Sequence, residues 1–412
     1  MSANKKRILG DAINYKEEFV KILSHENGRH FLLDFGGDQA SVSIFAYGGV
    51  LSKLGIEGAP KINNFVQLSS LPEEEFLRKY KIGFRWLYPK PSRKTRELIE
   101  EFRETFEFDV RTEIQQGYAA GGSGKYFFDE WGVKWKRSAY YFEQVAHPLA
   151  GKSYDEITQF IFPDPSDRLK VENLKDELRA YSEENLQYII SLSQSYGGLL
   201  ETALWIRGYM DFYLDMGSNS RECRYLLDGI KEYFIEWYKQ YLSSVDGSVD
   251  IVAIGDDYGM QDRMLLSPEM WRTYIKPRYK ELIDSIKSKY SHIKVFHHSC
   301  GSIYPIIEDL IEIGVDILNP IQPTAKDMDP AKLKRRFGRR ITFHGGIDVQ
   351  TLLPFGAVRE IKSEVIRILE ILSENGGYII APSHNIQAGT PVENIFAFYD
   401  TVNEYTERHY LM

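Results

Sequence analysis

Ile293-Lys294-Val295-Phe296-His297-His298-Ser299-Cys300-Gly301 is an apolar, partly β-branched run that breaks into a loop at a histidine pair and a cysteine. The composition predicts a strand over 293–297, and on extended backbone side chains two apart fall on one side. His298 and Cys300 can therefore direct an imidazole nitrogen and a thiolate at one ion. The third ligand must come from elsewhere, and His384, in Ile379-Ile380-Ala381-Pro382-Ser383-His384, stands at an equivalent strand exit. Nitrogen and sulfur donors with one position left open match a catalytic zinc better than a structural one. The plainer alternative is that His298 and Cys300 are buried strand residues and His384 a structural hydrogen-bonding group.

Outward from this run, short apolar stretches alternate five times with longer amphipathic ones. Strands are expected over 251–255, 293–297, 315–318, 340–344 and 377–381. Helices are expected to open at Ser267-Pro268-Glu269, Ser302, Asp329-Pro330, Gly356 and Thr390-Pro391, several with a cap residue and a first-turn proline. Repeated strand-helix units imply a parallel sheet with helices outside it, either an open sheet or a closed barrel. Each strand ends in polar residues: Asp256-Asp257, His298 with Cys300, Asn319 with Gln322, Gly345-Gly346-Ile347-Asp348, and His384-Asn385. In a barrel these tips ring one opening, where such enzymes place their chemistry; in an open sheet they lie along an edge.

The first half carries a weaker pattern. Phe31 to Phe35, followed by Gly36-Gly37-Asp38, reads as another strand and tip, and Trp86-Leu87-Tyr88 as a further strand. Asp129 to Trp135 reads as an aromatic, acidic strand or hairpin. Residues 182–194 and 221–243 have helical periodicity, and 199–204 fits strand or helix. No linker-like tract separates the halves, so one domain over 1–412 is expected, with 1–130 forming an N-terminal elaboration and the first strands, and 250–410 forming regular βα units.

Net charge is −8, and no basic block exceeds Lys5-Lys6-Arg7 or Lys334-Arg335-Arg336, which argues against a nucleic-acid surface. The two cysteines, Cys223 and Cys300, are too few for a disulfide framework and point to a reducing compartment. No apolar run approaches the roughly 20 residues of a membrane span, and the N-terminus lacks a signal-peptide core. A cytoplasmic protein is expected.

The blocks Gly255-Asp256-Asp257-Tyr258-Gly259, Ser267-Pro268-Glu269-Met270-Trp271, His298-Ser299-Cys300-Gly301, Gly345-Gly346-Ile347-Asp348 and His384 with Thr390-Pro391-Val392-Glu393-Asn394 occur in one order. That order resembles the uroporphyrinogen decarboxylase-like superfamily, and within it the zinc-dependent methyltransferases that exchange methyl groups with corrinoid proteins. The resemblance covers roughly residues 180 to 405. It implies a (β/α)8 TIM-type barrel with the active site at the C-terminal ends of the strands, zinc on His298, Cys300 and His384, and a corrinoid carried by a partner protein. A homodimer would suit it. In the methyltransferase branch the third ligand is usually a cysteine six residues before the Thr-Pro, whereas here it is His384. Two nitrogens and one sulfur leave the metal less anionic and a stronger Lewis acid, which favours polarising an ether oxygen. True uroporphyrinogen decarboxylases need no metal and carry an arginine-rich signature near the N-terminus; before position 60 this chain has only Arg7 and Arg29.

The leading expectation is therefore a zinc-dependent methyltransferase moving a methyl group between a small substrate, such as a methoxylated compound or a thiol or folate acceptor, and a corrinoid protein. The alternatives are a metal-free decarboxylase or lyase acting on a carboxylated substrate, and a non-catalytic sensor. Asp257 and Asp256 are the catalytic candidates, with Asp257 favoured for the inward position and helix or loop capping as the other role. Asp348, Asn319, Gln322, His344 and Asn385 are candidates for substrate binding, with a turn-stabilising role the alternative for Asp348. His297 should face away from His298. Aromatic residues, including Tyr118 and Tyr140-Tyr141-Phe142, could wall a pocket or belong to the core.

Overall fold

The computed structural model describes residues 13–64, 66–93, 95–97, 126–138, 141–182, 187–194 and 197–410. Eight strands form one parallel sheet: β1 (Leu32–Leu33), β2 (Phe84–Leu87), β3 (Ile189–Leu192), β4 (Ile251–Gly255), β5 (Lys294–His298), β6 (Ile317–Ile321), β7 (Thr342–Ile347) and β8 (Tyr378–Pro382). They neighbour one another in chain order, and β8 returns to pair with β1. This is an α/β barrel of the TIM type. Among the described residues no ladder joins β1 to β2; side chains close that seam, with Trp86 Nε1 donating to Asp34 at 3.1 Å and the Gly37 amide donating to the Tyr88 hydroxyl at 3.0 Å.

The helices begin where local chemistry says they should. Ser267 caps the helix Pro268–Tyr274 by accepting from the Met270 amide, and Asp329 caps Pro330–Phe337 by accepting from Lys332, each with a proline at the start. Residues 182–194 are not helical: a helix ends at Ser182 and β3 follows over Ile189–Leu192, fully buried between β2 and β4. Burial on both faces removes the alternation that would have marked it as a strand. The ambiguous stretch is the helix Leu199–Arg207, and Arg221–Ser244 is helical as expected. Asp129 to Trp135 belongs to a three-stranded antiparallel sheet of Tyr126–Phe128, Lys134–Arg137 and Phe142–Ala146, inserted between β2 and β3.

Several strands run on past their apolar stretch. In β5 the ladder continues to His298, which pairs with Gly255 on one side and Asn319 on the other. Alternation then sends Phe296 and His298 into the barrel. It sends His297 outward, where it is buried between Tyr258 and Tyr279 with ring centroids at 5.7 and 5.1 Å. A glycine is required at 255, because a Cβ there would lie 2.6 Å from the His298 carbonyl oxygen and 2.7 Å from its Cβ. Gly255→Ala should therefore cost about 2 kcal/mol and displace His298, read as a lowered midpoint of urea unfolding; an unchanged midpoint would count against this packing.

Candidate metal centre and pocket

At the C-terminal rim, ligand atoms of His298, Cys300 and His384 lie within 4.8 Å of one another. Cys300 Sγ is 3.5 Å from His298 Nε2, and the two imidazole rings have centroids 6.1 Å apart. Two ligands of a tetrahedral zinc, at about 2.3 Å for sulfur and about 2.05 Å for nitrogen, are separated by roughly 3.5 Å. The Cys300–His298 separation thus fits that ion. So does the electrostatics. Burial, and then the carboxylates of Asp257 and Glu201, push the Cys300 thiol well above its ordinary value. Burial and His298 push His384 down to about 4, so both groups are neutral without a cation. A dication is what would turn that thiol into a thiolate beside Asp257.

The surrounding loops fix these side chains. Asp257, one residue beyond Asp256 after β4, accepts from the Cys300 amide at 2.8 Å and lies 3.5 Å from His298 Nε2. The Gly301 amide donates to Gln322 Oε1 at 2.9 Å, which ties the His-x-Cys loop to the β6 tip. His298 Nδ1 is hydrogen-bonded to Asn319 Oδ1, so the ring's orientation is set from behind.

A cavity of about 600 Å³ opens from His298 and His384 toward the inserted sheet. That volume suits a small molecule. Aromatic groups form much of its far wall: Tyr88, Phe127, Trp135, Tyr141, Phe142 and Trp205. Trp135 stacks on Phe127 at 6.4 Å and meets Trp205 edge-on at 5.4 Å. Tyr118 and Tyr140, expected in such a wall, lie outside the described residues. The polar lining is acidic, with Asp38, Asp129, Glu130, Glu143, Glu201 and Asp257. The cations among the described lining residues are Lys90, paired with Glu177, and Lys170, paired with Glu130.

The structure sorts the other sequence candidates by where their hydrogen bonds go. Asp256 is fully buried and turned away from the cavity: its carboxylate accepts from the Leu200 and Glu201 amides, each at 2.8 Å, and from the Tyr279 hydroxyl at 2.9 Å. It caps the helix Leu199–Arg207, not the helix that follows it in the chain. Asp348 accepts from the amides of Gln350, Thr351 and Leu352 and closes its own turn. Asn319 and His344 are buried beneath the cavity floor, hydrogen-bonded to each other at 2.7 Å. Asn385 lines the cavity and bridges rim loops, accepting from Ser41 and donating to the Asp38 carbonyl and to Gln67.

Among the lining carboxyls that had no site role in the sequence reading, Glu201 and Asp38 are shifted most clearly. Glu201, in the first turn of Leu199–Arg207, has its carboxyl pushed well above the ordinary value by burial and by Asp257 and Asp256, while the Gly198 and Asp257 amides oppose the shift. Burial raises Asp38 to about 6, against hydrogen bonds from Ser193, Asn64 and Asn63. Asp38 stood in a recognised strand tip. Glu201 was hidden because the strand ahead of it read as helix.

The family model described as uroporphyrinogen decarboxylase (URO-D) matches residues 190–405. A methylcobamide:CoM methyltransferase MtaA of Methanosarcina barkeri is 31% identical over 162 residues, 39% of this chain and 43% of that protein. A uroporphyrinogen decarboxylase of Crocosphaera subtropica is 26% identical over 162 residues, 39% of this chain and 42% of that protein. The chain is thus matched over about two fifths of the length of these curated relatives. Among solved structures, a methyltransferase from Methanosarcina mazei superposes with a TM-score of 0.64 at 17% identity, covering 95% of this chain and 99% of the other, which shows the shared fold.

The metal centre has a direct check. Wild-type protein should carry about one zinc per chain by elemental analysis, and Cys300→Ser should bind it at least tenfold more weakly in competition with a chromophoric chelator. Unchanged metal content in Cys300→Ser would remove the sulfur from the donor set. Asp256→Ala should retain the zinc yet cost about 3 kcal/mol in urea unfolding, since it leaves two helix amides and a phenol unpaired.

Proposed function

The chain belongs to the uroporphyrinogen decarboxylase (URO-D) family, and we propose that within it this protein is a zinc-dependent methyltransferase moving a methyl group between a small methoxylated compound and a corrinoid protein. The observation that carries this reading is the convergence of His298, Cys300 and His384 within 4.8 Å beside a cavity that His298 and His384 help to line. Zinc held there would supply Lewis-acid polarisation of the substrate's heteroatom. With two nitrogens and one sulfur as donors, that chemistry suits an ether oxygen better than an already anionic thiolate. The name of the Methanosarcina barkeri relative, a methylcobamide-linked methyltransferase, supports the same class.

The chain's own groups divide the remaining tasks. The aromatic wall of Phe127, Trp135 and Trp205 packs the apolar body of the substrate and excludes water. Asp257 holds the Cys300 loop through its amide and remains close to His298 Nε2. Glu201, whose carboxyl is pushed well above its ordinary value by burial and by the charges of Asp257 and Asp256, is the proton donor. In such a transfer the methyl carbon–oxygen bond would break with its electrons staying on oxygen, and a reduced corrinoid on the partner would supply the nucleophile that accepts the methyl group. The leaving oxygen takes the Glu201 proton, and the product is a hydroxyl compound.

A decarboxylase acting on a tetrapyrrole polycarboxylate asks for the opposite electrostatics. The described cavity lining holds six carboxyl groups and two lysines, both lysines already paired, and no arginine among the described residues. A substrate with many carboxylates would be repelled there.

With a cognate corrinoid protein in its reduced state, a panel of methoxylated donors should yield the methylated corrinoid, followed by its visible spectrum. Glu201→Gln should slow that transfer by about 10²- to 10⁴-fold while leaving zinc content unchanged. Failure of every donor in the panel, together with decarboxylation of uroporphyrinogen by metal-free protein, would sink the proposal.

A further inference from the structure

Beneath the candidate metal centre, side chains from successive strands and strand exits form a single hydrogen-bonded file across the barrel. Trp86 Nε1 donates to Asp34 Oδ1 at 3.1 Å; His344 Nε2 stands 3.0 Å from Asp34 Oδ2; Asn319 Nδ2 stands 2.7 Å from His344 Nδ1; and Asn319 Oδ1 meets His298 Nδ1. Asp34, Asn319 and His344 are essentially inaccessible, with relative exposures of 0%, 0% and 1%. Phe296 packs edge-on against His344 with centroids 5.0 Å apart, and against Trp86 at 5.8 Å, which fixes the plane of the imidazole. Asp34, Asn319 and His344 do not line the cavity.

The file has a direction. Asn319 Nδ2 can only donate, so His344 Nδ1 accepts and the ring carries its proton on Nε2, where it is given to Asp34. The Asn319 amide oxygen then faces His298, whose Nδ1 must be the protonated nitrogen. His298 Nε2 is left as an acceptor, 3.5 Å from Cys300 Sγ and 3.5 Å from Asp257 Oδ1. We propose that Asp34, His344 and Asn319 are positioning residues which, by relaying hydrogen-bond polarity, lock His298 in the tautomer that can ligate a metal through Nε2. This inference rests on the reading of His298 as a ligand. It reassigns Asn319 and His344 from the substrate to the support of the site.

Asp34→Asn tests polarity without changing volume. Trp86 Nε1 can only donate, so it would keep the oxygen of the substituted amide and turn that amide's NH2 group toward His344 Nε2. Each later member would then reverse: His344 protonated on Nδ1, the Asn319 amide flipped, and His298 protonated on Nε2. Asn319→Asp should behave oppositely, because a carboxylate at 319 still accepts from His298 Nδ1.

The experiment measures imidazole 15N shifts of His298 in metal-free, histidine-labelled protein, assigned by comparison with His298→Gln. Zinc affinity by chelator competition is the second readout. Expected are an Nδ1-protonated His298 in wild type and Asn319→Asp, an Nε2-protonated His298 in Asp34→Asn, and zinc affinity about ten- to a hundredfold lower only in Asp34→Asn. A folded Asp34→Asn with the wild-type tautomer and affinity overturns the inference. If Asp34→Asn does not fold, Asn319→Leu against Asn319→Asp decides: loss of the Nδ1-protonated form in the leucine variant alone supports the relay, and its persistence in both overturns it. A relay that behaves as expected in a protein that binds no zinc sustains this inference while removing the metal-dependent function.

Discussion

His298 is the last residue of β5 and is paired in register with Gly255 of β4 and Asn319 of β6. A parallel ladder holds each strand by two neighbours, so the height and facing of that imidazole are settled by backbone hydrogen bonds before any side chain contributes. The rest of the rim follows. Because all eight strands share a direction, the loops carrying Asp257, Cys300 and His384 emerge on one side and can approach each other. Gly255 permits the close spacing of β4 and β5, where a Cβ would meet the His298 backbone.

Below the rim, the barrel interior holds a buried polar file, and that polarity is tolerable because its members are hydrogen-bonded to one another. Asp34, His344 and Asn319 each have hydrogen-bond partners on the two sides they present. Above it, burial makes the Glu201 and Asp38 carboxyls unwilling to ionise, and at Glu201 the charges of Asp257 and Asp256 add to it. A cation at the three-ligand cluster relieves that repulsion, and a neutral substrate with an apolar body adds none. On the proposed reading, the acidic lining that favours a metal also disfavours a polyanion.

The second half of the barrel was readable because each βα unit there has a short apolar run, a polar tip and a capped helix, and these signals agree. Ser267-Pro268 and Asp329-Pro330 began helices where their chemistry placed them. The strand ends were less legible: His298 and Asn319 are polar, yet they belong to the ladder, since pairing with a neighbour continues past the apolar residues. In the first half β3 was mistaken for helix, because a strand buried on both faces has no alternation to show. That error concealed Glu201. The inserted sheet was visible only as an aromatic, acidic stretch, and nothing in it announced that Phe127 and Trp135 would wall a cavity shared with His384.

By itself, the sequence determined which chemistry was available: two imidazoles and a thiol at strand exits, an acidic balance, and a βα rhythm that restricts the chain to a parallel sheet. Tertiary structure alone decided how the aspartates and amides were allotted. Asp256 and Asp257 are adjacent in sequence, yet successive side chains diverge, so one caps a helix in the neighbouring unit and the other holds the Cys300 amide. Asn319 and His344 are polar residues near strand ends, like Asn385, but only their depth inside the barrel commits them to His298 instead of the cavity. A linear pattern records residue type and spacing; which of two faces is buried, and which partner waits there, depends on elements hundreds of residues away.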